Sequence, residues 1–138
     1  MFPEAKIPVV QLSVNAYLNT EKAYKLGEKL AKLREKGYLI VGSGNIVHNL
    51  RKIEWDNPKD SQEADLFDNY ILNSVIKRED EKVIKYEEHE YSNYAVPTPD
   101  HFMPLLYILG ASQGEKPYIF NEIRELGSLS MTSYIFGM

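Results

Sequence analysis

The sequence predicts a single α/β domain over residues 1–138, built on a mixed, partly parallel sheet flanked by helices. Three observations predict it. An apolar, β-branched run is followed by a helical pattern and then by a second apolar run, with short connections; that order is a βαβ unit, whose crossover is right-handed and pairs its strands in parallel. The first run is largely apolar on both faces, as in a sheet covered on both sides rather than a half-solvated hairpin. Finally, 138 residues that are 43% hydrophobic and 26% charged, with a net charge of −4, have neither the low hydrophobicity nor the high charge of a disordered chain. A chain of that size can remove roughly 68% of its unfolded surface from water, enough for one core.

Along the chain, Ile7-Pro8-Val9-Val10-Gln11-Leu12-Ser13-Val14 reads as a strand at about 8–14, opened by a proline. Asn19 or Thr20 can cap a helix whose apolar positions Ala23, Leu26, Leu30 and Leu33 recur at spacings of three and four and which ends at Gly37. Tyr38-Leu39-Ile40-Val41 is the second apolar run, and Gly42-Ser43-Gly44-Asn45 after it reads as a tight turn needing positive φ. It is not a dinucleotide fingerprint, because Val47 stands where the third glycine belongs. Residues 51–60 form a loop, since Asn57-Pro58 disfavours helix. Asp60-Ser61-Gln62-Glu63 has the capping-box arrangement, and Ala64, Phe67, Ile71 and Val75 mark one face of a helix to about 77. The strongly charged stretch 78–94 is expected as a solvated helix or loop. Thr98, Pro99 and Asp100 suit the start of another helix, with the apolar block Phe102 to Leu109 closed by Gly110. Strand-like runs follow at Tyr118-Ile119-Phe120 and from Leu129 to Phe136.

Composition excludes several partner classes. With 16 basic against 20 acidic side chains and no basic cluster, the chain lacks the stripe that neutralises phosphates, so nucleic acid is not expected as a partner. No stretch approaches the ~20 apolar residues of a membrane span, so no membrane partner is expected. Met1-Phe2-Pro3-Glu4-Ala5-Lys6 has neither the basic nor the apolar region of a secretory signal. The absence of cysteine excludes disulfides, thiolate catalysis and Cys-type zinc sites. A cytoplasmic location fits this balance.

Chemistry therefore rests on three histidines. His48 lies just past the second apolar run, where open α/β sheets bind ligands. His101 lies in the first turn of a helix after a Pro-Thr-Pro loop. Both stand at element ends, where side chains converge on clefts, although their separation carries no metal-motif spacing. His89, among Glu87, Glu88 and Glu90, reads as a surface histidine.

Three segments, FPEAKIPVVQLSV (2–14), LIVGSGNIVHNLR (39–51) and PTPDHFMPLLYILGA (97–111), together with the ending GSLSMTSYIFG (127–137), resemble the class III extradiol ring-cleaving dioxygenases in their DOPA 4,5-dioxygenase-like branch. The resemblance covers essentially the whole chain and implies an α/β enzyme that opens catechol-type rings with O2 and non-haem Fe(II), zinc being sometimes found instead. It implies that His48 is the acid/base beside the metal, counted with His101 in the metal site, and that His101 is a metal ligand. A catechol must lose protons to chelate iron, and imidazole titrates near neutral pH. Asn45 and Asp100 are expected as substrate-orienting or supporting residues; otherwise Asn45 is a turn residue and Asp100 a helix-start carboxylate. Family members carry their other metal-site histidines in an N-terminal half, so this chain resembles a C-terminal half. The implied partners are a catechol-type substrate with O2, and either a complementary N-terminal-half polypeptide or further copies of this chain in a homo-oligomer. The alternative expectation is a non-catalytic remnant serving as a binding or oligomerisation module.

Overall fold

Asn19 starts the first helix. Its backbone sits at φ −76° and ψ 166°, and its side-chain oxygen accepts a hydrogen bond from the Lys22 N–H, which opens α1 (Thr20–Arg34). Glu21 in the first turn and Lys32 and Arg34 in the last complement the helix dipole. At the far end Gly37 adopts φ +82°, and the Gly37 and Tyr38 N–H groups donate to the Arg34 and Leu33 carbonyls at 2.9 and 3.1 Å. That closure needs a left-handed residue, which is why the helix stops at a glycine. The structure, a computed structural model, describes residues 3–4, 6–15, 17–57 and 61–138.

Ser61 accepts from the Ala64 N–H and opens α2 (Gln62–Lys77). Asp60, the other partner of the expected capping box, lies outside the described residues, as do Pro58 and Lys59. Ala64, Phe67, Ile71 and Val75 are all fully buried, so the 3.6-residue periodicity marked the core face correctly. Residues 78–94 depart from the solvated expectation. They form α3 (Asp80–Ile84), a 3-10 turn (Tyr86–Glu88) and α4 (Ser92–Ala95), and they bury Val83, Ile84, Tyr86 and Ala95. Short helices let Glu81, Lys82 and Lys85 point outward while single apolar side chains reach the core.

A 3-10 turn at Pro99–His101 precedes α5 (Met103–Ser112), and Thr98 makes no side-chain cap bond. α5 is apolar nearly all round, as a helix enclosed by its own domain must be. Gly110 does not close it. Instead Gly110 lies where α5 crosses α1, against the Tyr24 carbonyl, and Gly27 meets the Tyr107 carbonyl from the other side; a Cβ at either would collide with backbone. Arg78 ties the end of α5 down by donating to the Leu109 carbonyl, the Ser112 hydroxyl and the Glu115 carbonyl while pairing with Asp80 at 2.7 Å.

The strands are short: β1 (Tyr118–Phe120), β2 (Arg124–Glu125), β3 (Leu129–Ser130) and β4 (Ser133–Ile135). β1 pairs with β4 in the register Tyr118–Ile135, Ile119–Tyr134 and Phe120–Ser133, and β2 pairs with β3; both pairs are antiparallel. Mixed helix and sheet is thus present, but among the described residues both strand pairs are antiparallel and the expected parallel pair is not seen. Residues 8–14 and 38–41 form no strand among the described residues. They are largely open to solvent, with Val10 88% and Leu39 74% exposed. A strand exists only where a second chain segment completes its ladder, and no backbone hydrogen bond joins residues 8–14 or 39–41 to another described residue.

Candidate functional site

His48 is held by its backbone on both sides. Its N–H donates to the Ala95 carbonyl at 2.9 Å, Asn49 N–H donates to the Ser128 carbonyl at 3.1 Å, and Ser130 N–H donates to the Val47 carbonyl at 3.1 Å. His48 thereby bridges to Leu129 of β3. The buried hydroxyl of Ser128 donates to the Asn49 carbonyl at 2.8 Å, and Asn49 donates from its own amide to the Tyr94 carbonyl at 2.6 Å. The imidazole therefore projects from a segment clamped between α4 and β3.

His101 closes the 3-10 turn, and its carbonyl accepts from Asn45 N–H at 2.9 Å. The approach is close because Gly44 has no Cβ to strike that carbonyl, and Gly42 likewise lies against Ile108. Neither glycine has positive φ, so the tight-turn reading is replaced by one of close backbone approach, which a glycine permits equally well.

Across this junction the two imidazoles stack, with ring centroids 3.7 Å apart and planes 14° from parallel. Asp100 adds a carboxylate oxygen 3.4 Å from His101 Nε2. Burial, and secondly the neighbouring His101, hold His48 below the usual imidazole range, against an opposing pull from Asp100. A hydrogen bond from Thr98 holds the Asp100 carboxyl below its usual range. Both shifts favour an uncharged imidazole at His48 and an ionised carboxylate at Asp100.

The structure brings His48, His101, Asn45 and Asp100 together. Asn45 is not a turn residue; its amide donates to the Ser130 carbonyl at 2.9 Å and so fastens the loop to β3. His89 lies elsewhere and is not a surface histidine. It is half-buried, 4.6 Å from the Tyr70 ring and 5.5 Å from Phe67 by ring centroids, and burial lowers its pKa. Among the described residues no three His, Asp or Glu side chains gather as a metal cage.

Sequence reasoning missed Ser128, Ser130 and Asp68, which support the site from behind. Ser130 donates to the fully buried Asp68 carboxylate at 2.8 Å, Thr132 donates to it at 3.3 Å, and Arg124 forms an ion pair with it. The signal was present in the alternation of serine around Leu129, since small hydroxyl residues at every second position of an apolar run mark a buried hydrogen-bonded face.

Comparison with known proteins places these features in context. Residues 1–137 match the family model described as the catalytic LigB subunit of aromatic ring-opening dioxygenase. The chain is 39% identical over 142 residues to the 4,5-DOPA dioxygenase extradiol of Escherichia coli (strain K12), a match covering 99% of this chain and 52% of that protein. It is 36% identical over 138 residues to the protein of the same name from Beta vulgaris, again covering 99% and 52%. A solved structure of an uncharacterized protein from Escherichia coli K12 superposes with a TM-score of 0.92 at 39% identity, over 99% of this chain and 58% of that one. The chain spans about half the length of the curated relatives it matches.

Proposed function

This chain belongs to the LigB family of aromatic ring-opening dioxygenase subunits, and from that premise we propose that it contributes His48 and His101 to an extradiol centre that opens a catechol-type ring with O2. The observation that carries the reading is the stacked imidazole pair at 3.7 Å, formed by residues distant in sequence within a chain that matches the family end to end.

The stack divides the labour. Imidazole lone pairs lie in the ring plane, so two near-parallel rings point theirs side by side rather than at one point. We assign His101, next to Asp100, as a ligand of non-haem Fe(II), with zinc as the alternative occupant, and His48 as the acid/base; His48 joins the ligand set only if its ring turns out of the stack. The residues fit part of such a set, because iron oxygenase centres use two histidines and a carboxylate on one face and leave the other face open. Fe(II), when bound, supplies the redox chemistry that joins O2 to the ring. His48, neutral and half-buried, takes the proton of a catechol hydroxyl; Asp100 orients His101, and Asn45 keeps the loop at the distance that preserves the stack. The remaining ligands come from a complementary polypeptide or from a second copy, the whole acting in the cytoplasm as one domain. No helix among the described residues is long and apolar enough to cross a membrane.

The test combines the chain with the portion of the E. coli relative that it does not span, then measures bound metal and the yellow ring-opened semialdehyde formed from a catechol under air. His101→Ala should abolish metal retention. His48→Ala should spare most of the metal and lower turnover by about 10²- to 10⁴-fold, the usual worth of a positioned acid/base. Unchanged metal and turnover in both variants would remove the assignment and leave the binding-module reading, which the exposed apolar run at 7–14 favours.

A further inference from the structure

The core face of α2 carries Ala64, Phe67, Ile71 and Val75, and among them stands one ionisable group, Asp68, with no exposed surface. Taking a carboxylate out of water is costly, and a buried ion pair is often no more stable than apolar side chains of the same volume. Stability alone therefore does not account for a carboxylate at this position. Its partners do. Oδ1 accepts from the Ser130 hydroxyl at 2.8 Å, while Oδ2 accepts from the Thr132 hydroxyl at 3.3 Å and pairs with the Arg124 guanidinium. The Thr132 N–H also donates to Ser130 Oγ at 3.3 Å, which leaves that hydroxyl no freedom to turn. Asp68 thus grips the end of β3 and its connection to β4 at two alternate residues, 130 and 132, as the period of an extended run allows.

Ser130 is also the seat of the segment that carries His48. Its N–H donates to the Val47 carbonyl at 3.1 Å, one residue before His48. Its carbonyl accepts from the Asn45 amide at 2.9 Å, and the Met131 sulfur lies 3.5 Å from the same amide. The Asn45 N–H in turn donates to the His101 carbonyl at 2.9 Å. Segment 45–47 is therefore pinned to Ser130 at both ends, one end leading into His48 and the other bonded to the residue that bears the second ring. The 3.7 Å separation of the imidazoles depends on where that segment sits on β3, and the place of β3 depends on what holds Ser130 from behind.

We propose that Asp68, acting through the Ser130 hydroxyl, is the positioning residue that fixes the separation of the His48 and His101 rings. Being fully buried, it touches no substrate; it acts only by holding Ser130. A proton acceptor works within about 2.6–3.2 Å of the atom it serves, so a small change of seating is read in turnover. The proposal rests on the extradiol reading for turnover alone, since the seating of the rings belongs to this chain by itself.

The test is Ser130→Ala, which keeps both backbone bonds and removes only the hydroxyl that Asp68 holds. Carbon-13 labelling of histidine in the full chain reports the mutual ring-current shift of the His48 and His101 carbon-bound protons, and urea unfolding reports stability. Both sets of resonances should move toward their unfolded positions. Ser74→Ala is the control: Ser74 is also buried, and its hydroxyl donates to the Tyr70 carbonyl at 2.8 Å, so its loss should lower the urea midpoint without moving either imidazole. Asp68→Asn keeps one acceptor oxygen, should move the resonances part of the way, and carries the same test where Ser130→Ala does not fold. With the unspanned portion of the E. coli relative added, Ser130→Ala should lower kcat about 10- to 100-fold with KM little changed. Imidazole resonances that stay at the parent positions in Ser130→Ala and Asp68→Asn, or that move as far in Ser74→Ala, would overturn the proposal. Absence of turnover in the parent mixture would instead remove the extradiol reading, and the resonances would still decide the positioning role.

Discussion

Replacing Gly44 with alanine tests whether the histidine stack depends on one missing methyl group. A Cβ at position 44 would stand 2.0 Å from the His101 carbonyl oxygen and 3.0 Å from its carbon, and real Cβ atoms essentially never come under 3.0 Å. The obstacle is backbone, so it cannot swing aside; segment 44–45 and the 3-10 turn must part by about 1 Å, an overpacking that costs roughly 1–3 kcal/mol. The Asn45 to His101 bond, now 2.9 Å, then stretches past useful range at a further cost of about 1 kcal/mol. Gly44 lies outside the left-handed region, so alanine recovers about 0.4–1 kcal/mol by restricting the unfolded chain. The net expectation is a loss of about 1–3.5 kcal/mol, the sum of those terms, read from urea unfolding. The imidazole carbon-bound protons of His48 and His101 should at the same time lose the mutual ring-current shift that a 3.7 Å stack produces. In the complementation assay proposed above, a 1 Å displacement should cost about 100-fold in turnover. Stability within about 0.5 kcal/mol of the parent, the scatter of neutral surface changes, together with unmoved imidazole resonances, would refute the reasoning.

Asp68→Ala should destabilise the chain by about 3–5 kcal/mol, because it removes the buried partner of Arg124 and the acceptor of two hydroxyls; chemical denaturation measures it, with Asp68→Asn expected between the two. Gly110→Ala should drive α1 from α5, since its Cβ meets the Tyr24 carbonyl, at a cost of roughly 1–3 kcal/mol in thermal melts. Burial, aided at Tyr24 by its hydrogen bond to Asp80, raises Tyr24 and Tyr86 from 10.0 to about 12. The folded chain therefore keeps protons that the unfolded chain releases, and the stability these groups contribute is present below pH 10 and lost as pH rises toward about 12. Phenolate absorbance should show Tyr24 and Tyr86 titrating late, with Tyr134, whose hydroxyl is buried, later still, and all three should shift to the ordinary range in urea.

What the sequence determined by itself was local. Asn19 and Ser61 announce helices because a cap bonds to N–H groups three residues away, and Phe67, Ile71 and Val75 announce a core face because one turn of helix brings them into line. The family motifs singled out His48 and His101. Their stacking was decided by tertiary structure, through Ser128 and Ser130 clamping one segment and Gly44 admitting the other. The same limit explains the misread elements. Val9, Val10, Leu39 and Val41 mark segments fit for a covered sheet, but a strand's hydrogen bonds go to a neighbour that its own residues do not name. Gly42, Gly44 and Gly110 looked like turns or ends because glycine serves both positive φ and close approach; only the atoms across from each, the Ile108 side chain and the carbonyls of His101 and Tyr24, tell which. Asp68 was invisible for the same reason, since a buried carboxylate persists only where Arg124, Ser130 and Thr132 converge on it from the far end of the chain.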